Sequence, residues 1–180
     1  TFSQALLSTL LTFLLGLPAA FLFSRFSFPG RSILRALTAI PFLLPTVVVA
    51  SGFNALLGER GWVNLGLMRL IGLENAPITF VGTLGAILAA HVFYNTTIVI
   101  RIVGNALSSL DPRLGQAASS LGASPGRIFW RVTLPVLRPA LLAAGMLVFL
   151  FDFTSFGVIL LLGAARHATL EVEIFRQSLS

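Results

Sequence analysis

The sequence predicts an all-α protein, a polytopic bundle of helices crossing a membrane. Three observations carry this expectation. First, of 180 residues 56% are hydrophobic and 10% are charged, with a mean hydropathy of +0.95, whereas soluble domains carry about 25% charged residues. Second, the apolar residues gather into four stretches, each near the ~20 residues of helix that cross a bilayer core. Third, the cations are all arginine, with a formal net charge of +6, and they lie between the apolar stretches. A single basic stripe for nucleic acid is therefore not expected.

The first span covers Gln4 to Ser24. No basic residue precedes it, and Arg25 and Arg31 follow it, so it reads as a membrane helix and not as a cleaved leader. The second, Ile33 to Leu57, contains Pro41 and Pro45, and the first contains Pro18. Bundles accept such prolines where neighbouring helices or water satisfy the freed carbonyls. Pro77 to Val103 and Pro139 to Leu162 complete the set.

The connection around Arg25, Arg31 and Arg35 carries +3, and that between the third and fourth spans carries +4. Charges in the second connection cancel, as do those of the tail. Arginine-rich connections stay cytoplasmic, so the first and third face inward and both chain ends face outward. The chain starts at the edge of an apolar span and stops in a polar stretch after the fourth. It therefore reads as part of a larger bundle, incomplete at both ends.

Lysine and cysteine are both absent. Without lysine there is no P-loop, so any ATP energy must come from a partner. Without cysteine, disulfides, thiolate metal sites and thiol nucleophiles are excluded. No carboxylate pair, spaced serine and histidine, or glycine-rich phosphate loop supports catalysis. Neither enzyme activity nor a cofactor is expected.

Residues 104–138 are more than a link between helices requires, and loops of that length are usually functional. Asp111 is an N-cap with Pro112 at the first helical position; Leu114, Ala117, Ala118 and Leu121 follow at i, i+3, i+4 and i+7, and Gly122 ends the run. Arg113, Gln116, Ser119 and Ser120 make the other face. Such a helix either docks in a protein groove or lies on the inner leaflet beneath the bundle. Ser124 and Pro125 start a second helix through Val132, halted at Pro135, with Trp130 and Arg131 suited to headgroup level.

Gln116-Ala117-Ala118, three residues, Gly122, nine residues, then Val132-Thr133-Leu134-Pro135 resembles the EAA loop of binding-protein-dependent ABC importer permeases, E-A-A-x3-G-x9-I-x-L-P. Every spacing is kept; Gln116 replaces Glu and Val132 replaces Ile. The resemblance implies a coupling loop in which Leu114, Gln116, Ala117, Ala118, Leu121 and Gly122 meet an ATPase, with Leu134 and Pro135 fixing where it rejoins the membrane. A neutral Gln116 leaves a hydrogen bond where the family's carboxylate could form a salt bridge.

Phe28-Pro29-Gly30-Arg31, Pro41 to Pro45, Leu88 to Asn95 and Ala168-Thr169-Leu170-Glu171 resemble the iron(III) and thiamine branch. This implies a permease subunit whose four spans are helices two to five of a six-helix half, fused to or paired with a second half. Its implied partners are a cytoplasmic ABC ATPase dimer, a periplasmic or lipoprotein solute-binding protein and membrane lipids, with no nucleic acid. Its implied place is the bacterial inner membrane, with the EAA loop cytoplasmic.

Asp152 is the acid inside a span, where a charge costs about 2.5–3.5 kcal/mol. With Thr154 and Ser155 it either lines a translocation path or binds a neighbouring helix as structural glue. His91 and Asn95 are four apart and share a helical face, with Arg101 and Asn105 further along it. One imidazole and one amide make a poor ligand set, so no metal site is expected. An ion-gradient-driven secondary transporter, with Asp152 as relay, is the alternative; it requires inverted repeats, and none is visible here.

Overall fold

The computed structural model describes residues 1–163 together with 172, 174, 177 and 178. Among the described residues the regular structure is helical, with an isolated bridge between Gly82 and Gly163. The tail motif Ala168-Thr169-Leu170-Glu171 lies outside the described residues.

Three long helices form the frame: α1 (Phe2–Arg25), α6 (Leu84–Ser108) and α9 (Leu134–Phe153). Each belongs to a helical run long and apolar enough to cross a membrane. On α1, Ser8, Thr12, Gly16 and Ala20 recur every fourth position and are buried. This stripe of small side chains lets two backbones approach closely. Ser8 faces His91, Gly16 faces Val99 and Ala20 faces Gly104, so α1 and α6 run parallel. The approach is closest at Gly16, where an added Cβ would stand 2.7 Å from Val99 Cβ. α9 runs antiparallel to α1, bringing Phe2 onto Phe149 at a centroid distance of 5.5 Å and Phe13 over Gly145.

The predicted second span, Ile33 to Leu57, is not one helix. It is α2 (Arg31–Leu37), α3 (Ile40–Leu43) and α4 (Thr46–Leu57), followed by α5 (Trp62–Ile71). The direction turns by 105° between Arg31–Leu43 and Thr46–Ile71. Pro45 forces this break: the residue before a proline is pushed out of the helical region, and Leu44 is extended with ψ 136°. The carbonyls left free are taken by α6, since the Thr97 hydroxyl donates to the Thr38 carbonyl and the Tyr94 hydroxyl to that of Leu44 at 3.3 Å. The prolines are thus accommodated by hydroxyls of a neighbouring helix.

The third span starts later than Pro77, at Leu84, because Thr83 caps it by accepting from the Ala86 N–H at 3.4 Å. Residues before it are held by Asn64 on α5. Fully buried, its amide donates to the Gly58 and Ile78 carbonyls at 2.8 Å, and its oxygen accepts from the Ile78 N–H at 2.9 Å.

The fourth span is also displaced. Its helix does not begin at Pro139 but runs unbroken from α8 (Pro125–Ile128) through a π-helical turn (Phe129–Thr133) into α9. Pro135 was expected to halt the chain, yet the helix widens by one residue and passes it. The Leu134 N–H bonds to the Phe129 carbonyl five residues back, an arrangement that accommodates a ring that would otherwise crowd the preceding turn. The span then breaks at Thr154 and Ser155 and resumes as α10 (Phe156–Leu162). Apolar packing is correspondingly split. Val99, Val103, Leu137 and Val148 form a cluster toward the loop end, while Ala50, Ile87, Ile159 and Leu162 form one toward the opposite end.

Candidate functional site

Two parts of the molecule carry polar or interactive chemistry: the loop helix and a layer between the apolar clusters. The loop helix is α7 (Pro112–Ser120). Asp111 caps its start, accepting from the Arg113 N–H at 2.9 Å. It stops in a Schellman arrangement. The Ala123 N–H bonds to the Ala118 carbonyl at 3.0 Å and the Gly122 N–H to that of Ser119 at 2.9 Å. Gly122 sits at φ +77°, the left-handed conformation that this cap needs and glycine adopts freely.

No residue of α7 is buried. Leu114 is 47% exposed and Leu121 89%, so the apolar edge predicted from sequence faces outward. Gln116 and Ala117 are exposed beside it, and Ala118 is half-buried. Behind the helix a small groove of about 150 Å³ is lined by Arg25, Asp111, Leu114, Ile128 and Val132. α7 thus rests against the α8 and π-turn run, and Leu134 and Pro135 lie half-buried at the start of α9. An end-to-end helical path links the loop to the membrane interior.

At the far end of that path, α1, α6, the last turn of α9 and the break that follows it bring a polar layer together. His91 Nδ1 shares a hydrogen bond with Ser8 Oγ at 2.9 Å, and Nε2 shares one with Ser155 Oγ at 2.5 Å. Asn95 donates to Asp152 Oδ1 at 2.7 Å, and His91 Nδ1 lies 3.4 Å from the same oxygen. His91, Asn95 and Asp152 are all buried. Four of the five polar residues expected from sequence therefore meet: His91, Asn95, Asp152 and Ser155. Thr154 does not join the bonded layer, because its hydroxyl donates to the Leu150 carbonyl at 2.8 Å.

Arg101 and Asn105 lie apart from this layer, and Asn105 instead accepts from Arg35 at 2.8 Å. Beside the layer is a cavity of about 300 Å³ whose lining includes Thr46, Tyr94, Asn95, Thr154 and Ser155. Among the described residues, Gln4 Nε2, Thr12 Oγ1 and Asp152 Oδ2 are buried without a hydrogen-bond partner. Sequence reasoning missed Ser8 and Thr12. The fourfold recurrence Ser8, Thr12, Gly16, Ala20 was the signal that could have found them. It also missed Asn64, for which the pattern offers no cue, since its partners are backbone groups brought close by the fold.

The fold is a bundle of helices apolar enough to cross a membrane, with broken spans and a capped helix carried in its longest connection. The chain belongs to the family described as binding-protein-dependent transport system inner membrane component, whose model matches residues 12–176. A putative 2-aminoethylphosphonate transport system permease protein of Salmonella typhi is 31% identical over 84% of this chain and 53% of its own length. A probable sulfate transport system permease protein of Marchantia polymorpha is 32% identical over 91% of this chain and 55% of its own. A molybdenum transport system permease protein of Azotobacter vinelandii is 30% identical, with 97% and 76% covered. The chain thus spans about half the length of the first two relatives. A solved bacterial ABC transporter that imports the acidic polysaccharide alginate matches with a TM-score of 0.75 at 20% identity, over 99% of this chain and 66% of that one, and shares its fold. The expectation of an iron(III) or thiamine permease is not supported, since these relatives are named for other solutes.

Proposed function

We propose that this chain is the membrane-spanning permease part of an ATP-driven importer of the bacterial inner membrane. It receives its solute from a binding protein, works beside a second permease half and is powered by a separate cytoplasmic ATPase dimer. The observation that carries the reading is α7: a helix fixed at both ends by its own sequence, with Leu114 and Leu121 turned outward. A helix that merely padded the bundle would bury that edge.

Closure of the ATPase dimer would move α7, and the helical run from Pro125 to Phe153 would carry that displacement to the polar layer. The relatives named for 2-aminoethylphosphonate and sulfate, both small oxyanions, support a small anionic solute. Asp152 is read as a structural member of the layer, held by Asn95. Family membership favours this importer over an ion-driven transporter using Asp152 as relay.

The test is a single cysteine, Ser120→Cys, in the full-length protein freed of other cysteines and labelled with a membrane-impermeant maleimide. Inverted vesicles should label, intact cells should not, and bound ATPase should block the reaction. Labelling from outside would overturn the orientation. Cytoplasmic labelling that the ATPase leaves unchanged would overturn the docking role of α7.

A further inference from the structure

Arg101 is a charge inside a span for which the fold supplies no counter-charge. It lies in α6 two turns before Ser108, about 10 Å along the axis from the helix end. Ionised side chains at such depth pair with another group or face a cavity. Among the described residues the ion contact is that of His91 with Asp152, so Arg101 has no carboxylate beside it. Asp111 is taken by the cap of α7 and Asp152 by Asn95, while Glu59 and Glu74 lie in the connection that precedes α6.

Hydrogen bonds fix the surroundings on both sides. One turn before Arg101 the Thr97 hydroxyl donates to the Thr38 carbonyl, and one turn after it Asn105 Oδ1 accepts from Arg35 at 2.8 Å. Positions 97, 101 and 105 share a helical face, so the segment from Arg35 to Thr38 is clamped along it and a second guanidinium is held near the first. The bond to Asn105 leaves other N–H donors of the Arg35 fork for a ligand. Arg101 stands on the wall of a cavity of about 230 Å³, together with Thr97, Phe42, Leu43, Ile102 and Leu147. Among the described residues that wall carries no acid.

We propose that this cavity binds an oxyanion group of the phosphate, phosphonate or sulfate type, held by Arg101 with Arg35 at its edge. A guanidinium takes such oxygens in bidentate pairs, and the Thr97 hydroxyl, already given to Thr38, leaves the arginines as the donors. The volume is below the range of whole-ligand pockets, about 300–1,000 Å³, so it takes a headgroup or one small anion. Two sources supply that chemistry. An anionic phospholipid of the leaflet on the loop side would lay its chain against Phe42, Leu43, Ile102 and Leu147, the setting in which basic pockets between spans hold headgroups. A free oxyanion in transit is the other source, and that arm alone rests on the importer reading.

The experiment measures binding without ATPase or transport, so the importer reading and this site fail separately. It uses purified full-length protein in phosphate-free detergent. The probes are radiolabelled sulfate, followed by equilibrium binding, and phosphatidylglycerol against phosphatidylcholine, followed by native mass spectrometry. The parent should bind sulfate or phosphatidylglycerol saturably. Arg101→Gln keeps a polar side chain without the charge and should weaken that binding by about tenfold or more, because charge-assisted hydrogen bonds are lost. Arg101→Lys keeps the charge but not the fork and should fall between the two. Arg69→Gln, on α5, removes a positive charge elsewhere and should bind as the parent does.

A loss confined to phosphatidylglycerol assigns the site to lipid, a loss confined to sulfate assigns it to a free anion, and a loss of both marks a site that either fills. A parent that binds neither probe overturns the inference. So does an Arg101→Gln protein that binds as tightly as the parent, or an equal loss in Arg69→Gln, which would mark a general effect of charge.

Discussion

The polar layer and the loop helix are both held by well-formed hydrogen bonds, but they are partnered in opposite ways. In the layer the bonds join elements far apart in sequence, Ser8 with His91 and Asn95 with Asp152. In the loop every bond that shapes α7 is local, from the Asp111 cap to the Ala123 and Gly122 closure. The layer is an interior that the fold completes for itself; α7 is a preformed surface with its apolar edge uncovered. Damage to the first should appear as instability, and damage to the second as lost coupling in a stable protein.

The largest effect is expected where α1 and α6 are closest. Gly16→Leu forces a side chain into Val99, whose Cβ stands 2.7 Å from the added position, and overpacking of this kind costs about 1–3 kcal/mol or more. Thermal unfolding in detergent should show a large drop or no folded protein. A stability unchanged from the parent would mean that the two helices are not packed along the small-residue stripe.

Next is Asn95→Leu, which removes the 2.7 Å donor to Asp152 and leaves a buried carboxylate oxygen poorly satisfied. The expected cost is about 1–3 kcal/mol, toward the upper end because the acceptor is ionisable. Asn95→Gln, which keeps an amide but shifts it, should recover part of the loss. If Asn95→Leu were neutral in thermal unfolding, the layer would not be holding the bundle together.

How far the sequence foretold each region follows from the same contrast. α7 was legible to within one residue, because Asp111, Pro112 and Gly122 act on their own neighbours and need nothing from the rest of the chain. His91 and Asn95 were legible as a shared face through helical spacing alone. Their meeting with Asp152 and Ser155 was not, since that depends on how α6 and α9 are set side by side. The second span was misjudged for a similar reason: Pro41 and Pro45 announced a kink, but at its 105° turn the Thr97 and Tyr94 hydroxyls of another helix donate to the Thr38 and Leu44 carbonyls. Pro135 misled in the other direction, because a π-turn let the helix pass a proline that local rules treat as a stop.

Smaller effects on stability belong to the loop. Leu121→Gln removes an apolar side chain that is 89% exposed, so unfolding should stay within about 0.5 kcal/mol of the parent. Solute-stimulated ATP hydrolysis should nevertheless fall, because the edge that fills the ATPase groove is lost. A normal stimulation would place the docking edge elsewhere on α7.

The finest separation of structure from coupling comes from Gly122. At φ +77° most side chains are strained, but Asn and Asp tolerate the left-handed region better than others. Gly122→Asn should therefore keep the helix stop, with a loss of stability too small to unfold α7 and with transport near that of the parent. Gly122→Asp keeps nearly the same shape but sets a negative charge beside a helix C-terminus and on the rim of the docking edge, where about 0.3–1 kcal/mol of unfavourable dipole interaction is expected. Membrane insertion should match that of the Asn variant and stability should fall below it by no more than about 0.3–1 kcal/mol, while ATP hydrolysis proceeds without uptake. Equal transport by both variants would show that the rim of α7 does not meet the ATPase; equal loss in both would show that the glycine serves the backbone alone.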